Sequence, residues 1–292
     1  MDPMDNLQAA LVQAIKDYVH TSPLNLLRDV DQSPIWDEPL VGFADGNDAL
    51  FDRYKVVVGE THLTPREALN AARRDEDRAE LLGTEAVSVA SWILPAARQT
   101  RLDNRAMTAG PSLRWNHSRF QGEEFNDSLR RYVVDWLKQK HIDAAAPVLT
   151  GQFKMERSSS GWGSTWSERH AAYAAGLGTF SLSDGLITAR GVAHRCGSVV
   201  AGVQWMPSPR RYTSHLEYCA FYRDGSCKAC MVRCPAGAIG PEGHDKDKCH
   251  EYLFVILAEW VKQPGYIGSY GACGLCQTKV PCEHQIPDGG GK

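Results

Sequence analysis

The chain has 292 residues, 43% of them hydrophobic and 23% charged, with a formal net charge of -3. That is room for one large domain, or a medium one and a small one, in an ordinary globular composition with a core to bury. The near-neutral charge gives no signal for nucleic acid or an anionic membrane surface, and no apolar run is long enough to span a bilayer.

The acidic start, Met1-Asp2-Pro3-Met4-Asp5, lacks the basic and apolar regions of a secretory leader, so the expected location is cytoplasmic. Residues 7–19 carry apolar side chains at helical spacing with no breaker and predict a helix. Residues 34–46, rich in turn formers and aromatics, read as an ordered loop. Thr64, Pro65 and Glu67 spell a capped helix start, with Glu67 closing a capping box, for a helix running to about Leu82. Residues 85–94 predict a buried strand ended by Pro95.

A basic and aromatic stretch follows: Arg98, Arg101, Arg105, Arg114, Trp115, His117, Arg119 and Phe120. It fits a solvated loop face and a lining for an anionic ligand equally well. Residues 125–140 predict an amphipathic helix with Leu129, Val133, Trp136 and Leu137 on one face, and Pro147-Val148-Leu149 a short strand. Residues 158–164 read as a flexible Ser/Gly loop. A helix over 167–175 stops at Gly176, and strands follow near 185–188 and over 198–203. Helices alternating with strands predict an α/β or α+β domain. No phosphate-binding loop and no G-x-G-x-x-G after a strand occurs.

Eight of the nine cysteines lie between Cys219 and Cys282. In a reducing compartment, such clustering calls for metal before disulfides. Cys227-x2-Cys230-x3-Cys234-Pro235 is the tail of the bacterial ferredoxin run, in which the cysteine before the proline serves the other cluster. The first spacing is stretched, and the turn Arg223-Asp224-Gly225 can bring Cys219 back. The crossed pattern suggests one [4Fe–4S] cluster on Cys219, Cys227, Cys230 and Cys282, and a second on Cys234, Cys249, Cys273 and Cys276. Two zinc knuckles are the alternative, disfavoured by the Cys-Pro after an x3 spacing. Cys196, beside an apolar run, reads as a small buried residue.

The order of these pieces resembles the epoxyqueuosine reductases and, more distantly, the reductive dehalogenases. It is carried by Ser118-Arg119-Phe120-x-Gly122, by Glu168-Arg169 ahead of Ala175-Gly176-Leu177-Gly178, and by the double-cluster module with its isolated Cys249. The resemblance implies a nitroreductase-like α+β core over 1–210 that binds corrinoid and substrate. A small ferredoxin-like domain with two [4Fe-4S] clusters would occupy 211–292. It also implies a base-off corrinoid (cobalamin) contacted by Arg119 and approached by the backbone of Gly176, Leu177 and Gly178. The acidic residue thought to donate a proton in epoxyqueuosine reductases is missing; its position falls on Trp162. A tyrosine donor, as in the dehalogenases, puts Tyr173 forward, with His170 and Glu168 behind it.

These readings predict an oxidoreductase passing single electrons from a donor such as ferredoxin or flavodoxin, through two clusters, to cobalt. Its substrate would be a small molecule, with no nucleic acid and no membrane. Two alternatives stand beside it. One is an electron-transfer protein that reduces a partner's cofactor. The other is a short epoxyqueuosine reductase acting on tRNA, against which stand the missing acid, the near-neutral charge and the absent C-terminal helical repeats; the export signal typical of respiratory reductive dehalogenases is absent too.

Overall fold

A computed structural model of the chain describes residues 3–75, 86–158 and 161–288. Residues 76–85, and with them the expected end of the second helix and the first residue of the expected strand, lie outside these.

Helix α1 (Pro3–Thr21) forms where the apolar spacing predicts, burying Leu11, Ile15 and Val19. Strand β1 (Leu40–Asp45) lies inside the stretch expected to be a loop. Its backbone pairs antiparallel with the next strand, and those ladder bonds outweigh its turn-rich composition. Helix α2 (Leu50–Val57) buries Phe51 and Tyr54. Helix α3 (Pro65–Asp75) has the reciprocal capping box: Glu67 N–H donates to Thr64 Oγ1 at 3.3 Å and Thr64 N–H to the Glu67 carboxylate at 2.8 Å.

Strand β2 (Ser88–Pro95) is buried at all eight positions. Helix α4 (Arg98–Arg105) leads to the long helix α5 (Leu113–Lys138), capped by Ser112 accepting from Trp115 N–H. α5 starts twelve residues before the expected point, so Arg114 to Phe120 are helical. The core follows with β3 (Ala144–Ala145), the hairpin β4 (Met155–Ser158) and β5 (Gly161–Ser164), α6 (Glu168–Ala174), β6 (Gly178–Phe180), β7 (Leu186–Thr188) and β8 (His194–Ala201). Two expectations are corrected: Pro147–Leu149 is a 3-10 turn, and residues 158–164 belong largely to the hairpin.

The main sheet has the order β1-β2-β8-β3, every pair antiparallel, which makes the fold mixed α+β rather than doubly wound α/β. Even-numbered Ala90, Trp92 and Leu94 of β2 pack with α1 and α5. Odd-numbered Val89 joins α2, α3 and α6, and Ile93 packs on α6 with Leu186 and Cys196. Helices cover both faces, which is why every residue of β2 is buried, Ser88 and Ser91 included.

After Gly202 the chain carries only short elements: α7 (Ala220–Asp224), α8 (Ala229–Arg233), the ribbon β9 (Ile239–Gly240) and β10 (Gly243–His244), and α9 (Lys246–Glu251). A π-helical turn (Tyr252–Ile256), α10 (Leu257–Trp260) and a 3-10 turn (Leu275–Gln277) follow, the last elements among the described residues. Among the described residues no helix is long and apolar enough to cross a membrane.

The basic and aromatic stretch grips this cysteine-rich part. Asn116 exchanges side-chain hydrogen bonds with the Ile267 backbone at 3.0 and 2.9 Å. His117 Nε2 lies 2.7 Å from Gly265 O, and Arg233 donates to the carbonyls of Met107, Asn104 and Thr278. Around Asn116 and His117 it forms an internal seam, while Arg98 is exposed.

Candidate functional site

Cys219 stands at the start of α7, and the helix is closed by Gly225 at φ 74°, whose N–H donates to Phe221 O at 3.0 Å. A left-handed residue there costs glycine little, and the turn folds the long first spacing back. Cys227 and Cys230 flank the start of α8. Cys219, Cys227, Cys230 and Cys282 line one small cavity walled by Ile187, Phe221, Val280 and Pro287. Burial first, then the neighbouring thiols of this set, pushes Cys230 up to about 11 and Cys282 up to about 12.

Cys273 and Cys276 form the nucleus of a second set. Burial pushes Cys273 up to about 12, aided by Cys234 and Cys249; Cys276 is raised well above the ordinary thiol range by burial, then by Cys273, Cys249, Cys230 and Cys234. Cys219, Cys230 and Cys282 of the first set and Cys234 and Cys276 of the second pack in one hydrophobic cluster, so the two sets lie side by side. Ala238 N–H donates to Cys234 Sγ at 3.3 Å, the kind of bond that tunes a cluster sulfur. Among the described residues, no three His, Cys, Asp or Glu side chains converge closely enough for a single metal ion. A cubane holds its four thiolates farther apart than one ion does, so sets ringing a space fit a cluster better than zinc. Cys196 is buried in β8, its Sγ 3.7 Å from His194 Nδ1, outside both sets.

A larger cavity of about 330 Å³ lies between α2, α6 and the cysteine-rich part. Tyr54, Tyr173, Phe180, Asp184, Tyr222 and Lys246 are among its walls. Among the described residues no cysteine lines it, but both sets lie behind its wall: Ser181 lines this cavity and that of the first set, and Asp184 lies 3.1 Å from Nδ1 of His244, which neighbours Cys249. Burial pulls His244 down, but Asp184 and Cys249 beside it win and hold it up to about 9.

Tyr173 is in the wall, stacked on Tyr212 with ring centroids 5.2 Å apart. Burial raises its pKa, so the phenol keeps its proton at neutral pH. His170 also borders the cavity; burial lowers it to about 3, and Ser167 Oγ sits 2.8 Å from its Nδ1. Glu168 is instead structural, paired with buried Arg130 at 3.1 Å and hydrogen-bonded to Ser198. Lys246 was missed by sequence reading. Its Nζ donates to Trp162 O at 3.1 Å, and Trp162 stacks on His250 at 5.0 Å, so a lysine borders the cavity beside the position that lacks the acid. Its only signal was proximity to Cys249 in the sequence.

The residues expected to hold a corrinoid do not meet at this cavity. Arg119 donates to Tyr270 Oη at 2.7 Å. Gly176, at φ +75°, is pressed by Pro209 O, which a Cβ would approach to 2.9 Å; at Gly178 the obstacle is Ile187 O at 2.1 Å. Leu177 packs toward Gly42. Protein backbone, not a ring, accounts for both glycines. Arg119, Gly176, Leu177 and Gly178 are not among the residues that line this cavity.

No family model matches the chain, and no curated protein matches it. Solved structures of epoxyqueuosine reductases share its fold. One, from Bacillus subtilis with its catalytic loop swung out of the active site, is 18% identical over 98% of this chain and 68% of that one, at a TM-score of 0.50. A second, bound to a tRNA-Tyr epoxyqueuosine-modified stem loop, is 19% identical over 96% and 66%, at 0.52. A third, selenomethionine-labelled, is 18% identical over 98% and 70%, at 0.51. The chain therefore spans about two thirds of each.

The expectation of a small-molecule substrate with no nucleic acid is corrected by the stem-loop complex, in which a fold of this kind holds RNA. Net charge misled because it sums the whole chain, whereas an RNA loop needs only a local surface and a cavity.

Proposed function

We propose that this chain is an iron–sulfur oxidoreductase that reduces a modified nucleoside carried by tRNA, an epoxide in the first instance. The observation that carries the reading is a nucleoside-sized cavity bordered by Tyr173 and Lys246, which shares Ser181 with the small cavity of the first cysteine set and whose Asp184 pairs with His244, within a fold shared with epoxyqueuosine reductases.

Cys219, Cys227, Cys230 and Cys282 would hold one [4Fe-4S] cluster and Cys234, Cys249, Cys273 and Cys276 the other; such clusters supply electrons one at a time. The 211–292 part is then a ferredoxin-like module, fed by a small carrier of the ferredoxin or flavodoxin type. Removing an epoxide oxygen as water, leaving a double bond, takes two electrons and two protons. Tyr173 offers one proton from the cavity wall, and the Lys246 ammonium offers the other. Tyr54 and Phe180 give aromatic surface for a base taken out of its stack. Cobalamin is the cofactor the resemblance implies; Arg119 is engaged with Tyr270, and the backbones of Gly176 and Gly178 pack on Pro209 and Ile187.

The test uses the full chain reconstituted anaerobically with iron and sulfide, then given dithionite and an epoxyqueuosine-modified stem loop, with and without cobalamin. Conversion of the nucleoside, lost in Tyr173→Phe with both clusters retained, is the expected result. Iron–sulfur absorbance with neither stem-loop binding nor conversion would overturn the substrate. Conversion only with cobalamin, accompanied by a base-off cob(II)alamin spectrum, would restore the corrinoid.

A further inference from the structure

We propose that Glu283 positions Cys282 on the first cluster through a buried clasp of two arginines; this rests on the two-cluster reading above. Cys282 has little local support. Among the described residues, no helix or strand follows the 3-10 turn Leu275–Gln277. Something other than secondary structure must fix the fourth ligand of a set whose other three members lie on and around α7 and α8.

Glu283, the next residue, is 0% exposed. One carboxylate oxygen pairs with Arg101 at 3.1 Å. The other pairs with Arg105 Nε at 2.7 Å and accepts Lys279 N–H at 2.7 Å. Arg101 also donates through Nε to Ala96 O at 3.1 Å, so the clasp is anchored to the core at the start of α4. A carboxylate taken fully out of water persists only with such compensation, and removing it strands two cations in its place.

The backbone is fixed from the other side. Val192 N–H donates to Cys282 O at 2.8 Å and Ala193 N–H to Glu283 O at 3.1 Å. The approach is so close that a Cβ on Gly191 would lie 2.3 Å from Glu283 O. Cys282 is thus held between α4 and the turn joining β7 to β8, and Ile187 of β7 lines the first set's cavity. Supporting groups of this kind set how well a ligand holds its metal, and nearby charge tunes a cluster's potential.

The experiment compares full-length wild type with Glu283→Gln, which keeps volume but loses the charge, by iron content, electron paramagnetic resonance of each reduced cluster, and midpoint potentials. The expected result is loss of one of the two cluster signals, or its conversion to a three-iron form, or a positive shift of its potential. The affected signal should match the one lost in Cys282→Ala and differ from the one lost in Cys276→Ala. Glu283→Asp should recover part of it. If Glu283→Gln unfolds the chain, Arg105→Gln, at the more exposed arm, decides: the same signal should shift by a smaller amount. Unchanged signals and potentials in the folded variant would overturn the clasp alone. A wild type without clusters would overturn both it and the reading beneath it.

Discussion

The sheet core and the cysteine-rich part are held together by different means. In the core, β2 buries every residue and helices cover both faces of the sheet. In the cysteine-rich part, α8, α9 and the π-helical turn bury no residue at all. Its order comes from thiol sets, from hydrogen bonds to α4 and α5, and from aromatic contacts such as Trp115 against Gly274. Apolar burial stabilises a fold wherever there is enough of it. Where there is too little, a preformed neighbour takes its place, and the proposed clusters would add to it as metal does in small metal domains.

The comparison breaks most visibly at Phe125, which is 0% exposed on α5 between the sheet and α1. Phe125→Ala should cost about 3–5 kcal/mol and lower the thermal midpoint of the whole chain. If the cysteine-rich part depends on the core, cluster absorbance and helical signal should then be lost together on heating. Separate transitions would show the two parts to be independent.

Acid should act through the core. Burial lowers His62 to about 4, His170 to about 3 and His194 to about 4, against an ordinary value near 6.5. The unfolded chain binds these protons first, so stability is full above about pH 6.5 and falls as pH drops toward 3–4. The slope is about 1 kcal/mol per pH unit for each histidine. Urea midpoints at pH 7 and pH 5 check this, and a His170→Asn variant should show a shallower slope. The smallest effect is expected at Arg157, whose ion pair with Asp247 joins the hairpin to α9 across open solvent. Arg157→Ala should cost less than about 1 kcal/mol, seen as a nearly unchanged thermal midpoint.

The local signals in the sequence were reliable where a residue's job is local. Thr64 and Glu67 cap α3, Gly176 ends α6, and Gly225 turns the chain after α7. The readings failed where the reason lies across the molecule. The long helix is expected only from residue 125; it begins at Leu113, and Gly122 lies inside it, where a Cβ would lie 2.4 Å from the Trp36 ring. The Ser/Gly stretch around Trp162 reads as a loop because its alignment is set by His250 and Lys246, far along the chain. Arg101 and Arg105 looked like ligand-binding cations, and their partner Glu283 lies at the other end of the sequence. The cysteines at the cavities were legible by spacing; the cavity wall was legible only at Tyr173 and His170.

Along the chain, the set from Cys234 to Cys276 is nested inside the set from Cys219 to Cys282. Closing the inner loop costs less chain entropy than closing the outer one. During synthesis, every thiol of the inner set has emerged while the outer set still waits for its last. On the two-cluster reading proposed above, loading is ordered: the inner site can be filled on a partly made chain, and the outer one becomes whole only when Cys282 arrives and its neighbour Glu283 meets a core already folded around α4.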